Sequence, residues 1–125
     1  MVSRFKQHFA RVESVSAMKL IYDDGDLRVE GLDRAGSRVF ELHFPDVLLT
    51  RITDEGVRLR LLPELQTAEH GLVLTDEQSE LIPWVHEETL GSRDLRQAKH
   101  FLVFAGEEIV DVVALSDPEI SKRDV

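Results

Sequence analysis

The most hydrophobic continuous segment of the chain runs from Lys99 to Ile120, KHFLVFAGEEIVDVVALSDPEI, and its pattern predicts a β-hairpin. His100–Ala105 and Ile109–Leu115 are rich in Phe, Leu, Ile and Val. Gly106-Glu107 between them suits a two-residue type II′ turn, because Gly adopts positive φ without steric cost. That turn sets Ala105 opposite Glu108 and fixes the register of the pair. Alternation then places Phe101, Val103, Ala105, Val110, Val112 and Ala114 on one face, with Glu108 beside the turn. His100, Leu102, Phe104, Ile109, Asp111, Val113 and Leu115 fall on the other. Both faces are largely apolar, so both strands are expected to be central in a sheet. Asp111 lies opposite Leu102 and diagonal to His100, a separation that leaning side chains span. Ser116-Asp117-Pro118 ends the second strand, since Pro cannot extend the ladder.

Upstream, short alternating runs are punctuated by turn residues. Ala17–Tyr22 and Leu27–Leu32 flank Asp24-Gly25, a type I′ hairpin signal. Arg38–Phe44 follows Asp33-Arg34-Ala35-Gly36 and points Phe40, Leu42 and Phe44 one way, Glu41 and His43 the other. Val47–Thr53 and Val57–Leu62 read as two more strands, the last with Val57, Leu59 and Leu61 inward and Arg58 and Arg60 outward. Such alternation implies one solvated face and antiparallel pairing. Leu72-Val73-Leu74 predicts a short edge strand after a polar connection over Glu64–Gly71. Two helices complete the expectation. Ser3 caps a short N-terminal one, with Phe5, Phe9 and Val12 at helical spacing. Thr75 caps the other, with Gln78 as capping-box partner. Leu81, Trp84 and Val85 form its apolar stripe, Pro83 kinks or restarts it, and Gly91 closes it.

The fold expected is therefore α+β, a mainly antiparallel, curved or partly closed sheet of six or seven strands. It carries one short N-terminal helix and one kinked helix before the closing hairpin. The 125 residues suffice for a single domain, 1–125.

Charge is distributed unevenly. Residues 1–60 carry ten acidic and ten basic side chains, whereas residues 61–125 carry fourteen and five, so the net charge of −9 arises in the second half. Leu61–Ser92 holds seven carboxylates, among them Glu77, Glu80, Glu87 and Glu88, and no Lys or Arg. Nucleic-acid binding needs a basic footprint and is disfavoured. A basic protein partner fits, as does the plainer reading of an acidic surface that maintains solubility. Cysteine is absent, which excludes disulfides and thiol chemistry and suggests a cytoplasmic setting. No apolar run reaches the length of a membrane span, and the N-terminus lacks the apolar core of a signal peptide.

Chemistry-bearing patterns are sparse. His86-Glu87-Glu88 falls short of the zincin pattern, because the position four residues after His86 is Leu90. His86, His100 and Asp111 would form a pocket if the second helix packed on the polar-flecked hairpin face. Their composition matches a facial metal-ligand set in residue type only, so no metal and no cofactor is assigned. His100 with Asp111 reads either as an oriented pair in a pocket or as a structural ion pair at the margin of a core face. The structural reading is preferred, since no nucleophile motif lies nearby. The sole tryptophan, Trp84, is expected to anchor the helix in the core; exposed, it would instead be a candidate binding hot spot.

The run SELIPWVHEETLG from Ser79 to Gly91, followed by HFLVF at His100, IVDVV at Ile109 and PEI at Pro118, resembles the C-terminal part of small bacterial β-rich domains. Some domains of that kind are immunity proteins, which neutralise a toxin partner. The resemblance covers about the last third of the chain and implies no catalytic residues. The function expected is a non-enzymatic acidic interaction domain of the immunity-protein or inhibitor type. Its binding residues would be Glu77, Glu80, Trp84, Glu87 and Glu88, meeting a basic protein surface. The alternatives are a small enzyme or ligand-binding domain built on His86, His100 and Asp111, and a structural homo-oligomer such as a homodimer.

Overall fold

The computed structural model describes residues 4–58, 61, 71–105 and 107–123. The hairpin that dominates the sequence forms the middle of one sheet. Its strands, β7 (Lys99–Ala105) and β8 (Glu108–Ala114), pair antiparallel with Ala105 opposite Glu108, Leu102 opposite Asp111 and His100 opposite Val113. This is the register expected from a two-residue connection; Gly106 itself lies outside the described residues. Flanking this hairpin are β6 (Val73–Asp76) beside β7 and β5 (Val47–Asp54) beside β8, with β1 (Phe5–Phe9) outside β6. The second sheet has the order β2 (Ala17–Asp23), β3 (Asp26–Leu32), β4 (Arg38–Phe44), β9 (Glu119–Lys122). All pairings are antiparallel. The strands thus divide between two sheets rather than forming a single curved or partly closed one.

The two sheets pack face to face. Leu27, Val29, Phe40, Leu42 and Phe44 of the second sheet share one core with Val73, Phe101, Val103, Val110, Val112 and Ala114 of the first. This is the apolar hairpin face that alternation isolates, and Phe101, Val103, Val110 and Val112 are wholly buried there. Phe40 lies opposite Gly31 across β3 and β4, and its ring occupies the space where a side chain at position 31 would begin. The first sheet's outer face has its own cover. Phe5, Leu61, Leu74, Leu102 and Ile109 cluster there, and α1 (Leu81–Glu88), whose buried residue is Val85, packs against β7.

Several local expectations are overturned. The N-terminal segment is strand β1, not a helix. Phe5 points into the outer-face cluster while Phe9 joins the inter-sheet core, and a register irregularity between Gln7 and Phe9 accommodates both. Spacings that fit a helix here serve a bulged strand whose partner, β6, lies some seventy residues away in sequence. Val57–Leu62 is not a regular strand. Glu55–Val57 makes one 3-10 turn, capped by the Asp54 carboxylate accepting from Gly56 N–H, and Val57 is exposed. Arg58 turns inward instead of outward, whereas Leu59, Arg60 and Leu62 lie outside the described residues, as does most of the polar connection Glu64–Gly71. The segment at Leu72-Val73-Leu74 is interior, between β1 and β7, rather than an edge. β9 is an unforeseen ninth strand that carries the chain from the hairpin to the second sheet.

The turn chemistry holds where positive φ is needed. Asp24 and Gly25 have φ of 46° and 80°, as a type I′ turn requires. At α1, Thr75 belongs to β6 and cannot cap. Ser79 does so, its Oγ accepting from the N–H groups of Leu81 and Ile82 at 3.1 and 3.2 Å. Pro83 sits in the first turn, where its missing N–H is no loss, so the helix neither kinks nor restarts. The helix closes with Leu90 in the left-handed region at φ 55° and with Gly91 N–H on the His86 carbonyl at 3.3 Å. This is a Schellman arrangement in which Gly91 follows the left-handed residue.

Candidate functional site

The first sheet's outer face carries a line of polar groups embedded in apolar surroundings. Period-two alternation along β6 continues from Leu74 to Asp76, so Asp76 shares a face with Leu102 and Leu74. His100 on β7, Asp111 on β8 and Arg51 on β5 extend that line, Arg51 directly opposite Asp111. Arg4, just before β1, and Arg58, just after the 3-10 turn, close it from either end. Asp76, His100 and Asp111 are the three buried polar side chains among the described residues.

Each buried group is matched. Arg4 grips Asp76 with two parallel hydrogen bonds, Nε to Oδ1 at 3.0 Å and Nη2 to Oδ2 at 2.7 Å. Asp76 Oδ1 also accepts from Gln78 N–H at 3.0 Å. His100 Nε2 lies 2.7 Å from Asp111 Oδ1, and its Nδ1 lies 2.7 Å from Ser79 Oγ and 3.6 Å from Asp76 Oδ2. The other Asp111 oxygen accepts from Arg58 Nη1 at 2.8 Å and from Arg51 Nε at 3.1 Å. Burial alone would push the Asp111 carboxyl up. The hydrogen bonds from His100 and Arg58, with the charges of Arg58 and Arg51, outweigh that and hold it below the ordinary carboxylate value. Asp111 is therefore ionised, and His100 bridges it to Ser79, one ring nitrogen on each partner.

Ser79, His100 and Asp111 thus form a hydrogen-bonded chain with the composition of a hydrolase triad. Its wiring is that of a helix anchor. The Ser79 oxygen already accepts two backbone N–H groups of α1, so its lone pairs are engaged and attack on a substrate would require the helix cap to open. The adjoining cleft, between Arg4, Arg58, Glu80 and His100, holds only about 80 Å³. A wider groove of about 340 Å³, along residues 11–18 and Gly71-Leu72, contains none of the histidines or carboxylates discussed here. Among the described residues no group of three or more His, Asp or Glu side chains is arranged to hold a metal ion.

The sequence-derived candidates separate into two sets. His100 and Asp111 meet as expected, and the groups that join them are Asp76, Ser79 and Arg58. His86 does not: burial of Val85 turns the next helical position about 100° away, toward solvent. Trp84 is 50 % exposed rather than anchoring α1 in the core. Glu77, Glu80, Glu87 and Glu88 are all exposed, with Glu77 3.2 Å from Lys6. Sequence reasoning missed Ser79, Asp76, Arg4 and Arg58. The alternation of Leu74 with Asp76 is the one signal that would have placed Asp76 on a strand beside His100; nothing in the sequence pairs Arg4 or Arg58 with its carboxylate.

Comparison of the chain with protein-family models, with curated proteins and with solved structures finds no match. Among the described residues no helix is long and apolar enough to cross a membrane.

Proposed function

We propose that the protein is a non-enzymatic interaction domain, of the immunity-protein or inhibitor kind, that binds a basic protein surface through α1. The observation that carries this reading is the exposure of Trp84 within a carboxylate-only stretch. The indole is half accessible and is flanked along the helix by exposed Glu80, Glu87 and Glu88. A large, stiff aromatic side chain supplies affinity when a partner covers it, and surrounding carboxylates steer a cationic surface and speed encounter. The buried network beneath contributes rigidity: Ser79 ties the start of α1 to His100, and so to Asp111 and both arginines. A helix held this way presents its outer face with little ordering cost on binding.

The competing reading, a small enzyme or ligand-binding domain, draws on the Ser79–His100–Asp111 chain. The saturated serine oxygen and the small cleft weigh against it. A pull-down from lysate of the source cell at low salt distinguishes the two. Wild type is compared with Trp84→Ala and with a variant carrying Gln at positions 77, 80, 87 and 88. The interaction reading expects one basic protein to be retained by wild type, released by salt and lost by both variants. Retention by all three, or no salt dependence, contradicts it.

A further inference from the structure

A sheet edge is a row of unpaired N–H and C=O groups, and proteins ordinarily blunt such edges with short strands or bulges. Three of the four edges here are treated in that way. β1 has five residues and a register irregularity at Gln7/Phe9, β5 has one at Val47/Leu49, and β9 has only four residues. β2 differs. Its seven residues, AMKLIYD, keep an unbroken register with β3 and contain no Pro or Gly, and no described strand pairs with its other side. Two of the chain's exposed large apolar side chains, Ile21 and Tyr22, are adjacent on it.

The charges along β2 are self-complementary. Lys19, Ile21 and Asp23 share the outer face. Asp23 faces Asp26 across the hairpin, a like-charge juxtaposition, and neither Lys19 nor Asp23 has a salt-bridge partner among the described residues. A second copy of β2, laid antiparallel about a two-fold axis at Ile21, sets Lys19 opposite Asp23 of the partner subunit, and the reverse, in two symmetric pairs. Ile21 then meets Ile21 of the partner subunit, and Leu20 meets Tyr22 of the partner subunit on the inner face. Shifting the axis to Leu20 would place Lys19 against isoleucine and lose both ion pairs. We infer that the chain forms a homodimer by antiparallel β2–β2 pairing centred on Ile21, joining two four-stranded sheets into one.

Sedimentation equilibrium across protein concentrations tests this on the full chain. Wild type should show a reversible dimer. Lys19→Glu or Asp23→Lys alone places like charges opposite each other twice, which raises the dissociation constant by about tenfold or more. Combining the two substitutions reverses every pair and should return the constant to within about threefold of wild type. The chain has no cysteine, so Ile21→Cys supplies an independent readout in a near-native background. Mild oxidation should link it to its own copy across the axis, whereas Glu30→Cys on the neighbouring strand should remain unlinked. A wild type that stays monomeric at every concentration overturns the inference and leaves the edge to a strand of another protein. Dimers indifferent to the single substitutions, a double variant that fails to recover, or equal linking at both cysteine positions overturn it as well.

Discussion

His100 and Asp111 sit diagonally across β7 and β8, with Nε2 2.7 Å from Oδ1, and this contact links the helix to the sheet. Through it the hydroxyl that caps α1 is connected to a carboxylate held by two arginines. His100 and Asp111 are buried at its centre, so each depends on its partners being present.

Replacing Asp111 with Asn should therefore cost about 1–3 kcal/mol at neutral pH, because the charge-assisted hydrogen bonds from the part-buried Arg58 and the more exposed Arg51 are lost. The effect has a pH signature. A carboxyl held below its ordinary value contributes stability that is complete above about pH 4 and is lost as pH falls through its folded-state value. Urea denaturation of wild type and Asp111→Asn at pH 7, 5 and 3 should show a gap that closes in acid. An equal gap at all three values, or a difference at pH 7 below about 0.5 kcal/mol, would contradict the network as described.

Gly31 tests the fit between β3 and β4. A Cβ there would come 2.1 Å from Phe40 Cε1, and Phe40 is 1 % exposed in the inter-sheet core. Gly31→Ala should destabilise by about 1–3 kcal/mol through displacement of the ring. Gly36, whose Cβ would meet no atom within 4 Å, has φ of 83°, so Gly36→Ala carries the cost of the turn conformation without any clash. A Gly31→Ala variant that melts with wild type would contradict this packing.

Thr50 offers a stabilising change. It lies opposite Val112, and its Oγ1 is buried with no hydrogen-bond partner among the described residues. Thr50→Val exchanges an unpaired hydroxyl for a methyl group and should raise stability by about 1 kcal/mol. A lower denaturation midpoint would mean that the hydroxyl has a partner in solution.

Much of the sheet was legible because its signals are local. The closing hairpin, the Asp24-Gly25 turn and the inward set Phe40, Leu42 and Phe44 follow from alternation and turn chemistry alone. The failures share a physical cause, which is that the deciding partner is distant in sequence. Phe5 and Phe9 fit a helical stripe, and only pairing with β6 makes the segment a strand. Arg58 alternates as an outward residue, yet the buried charge of Asp111, 53 positions away, draws it in. Thr75 and Gln78 satisfy a capping-box spacing, but strand pairing to Phe101 claims Thr75 and leaves the cap to Ser79. For the site, the diagonal between His100 and Asp111 was readable from register. The exposure of Trp84 was not, since a stripe of Leu81, Trp84 and Val85 gives no indication of which member the sheet covers.

The central proposal is that α1 presents Trp84 to a basic partner, and Trp84, as the sole tryptophan, reports on that event without a label. The most direct measurement is its emission during titration with the protein recovered in the low-salt pull-down. Covering a half-exposed indole should shift the emission to shorter wavelength and protect it from quenching by caesium ions, with association slowing steeply as salt is added. Saturable binding that leaves Trp84 emission and quenching unchanged would contradict the proposal and place the interface elsewhere on the molecule.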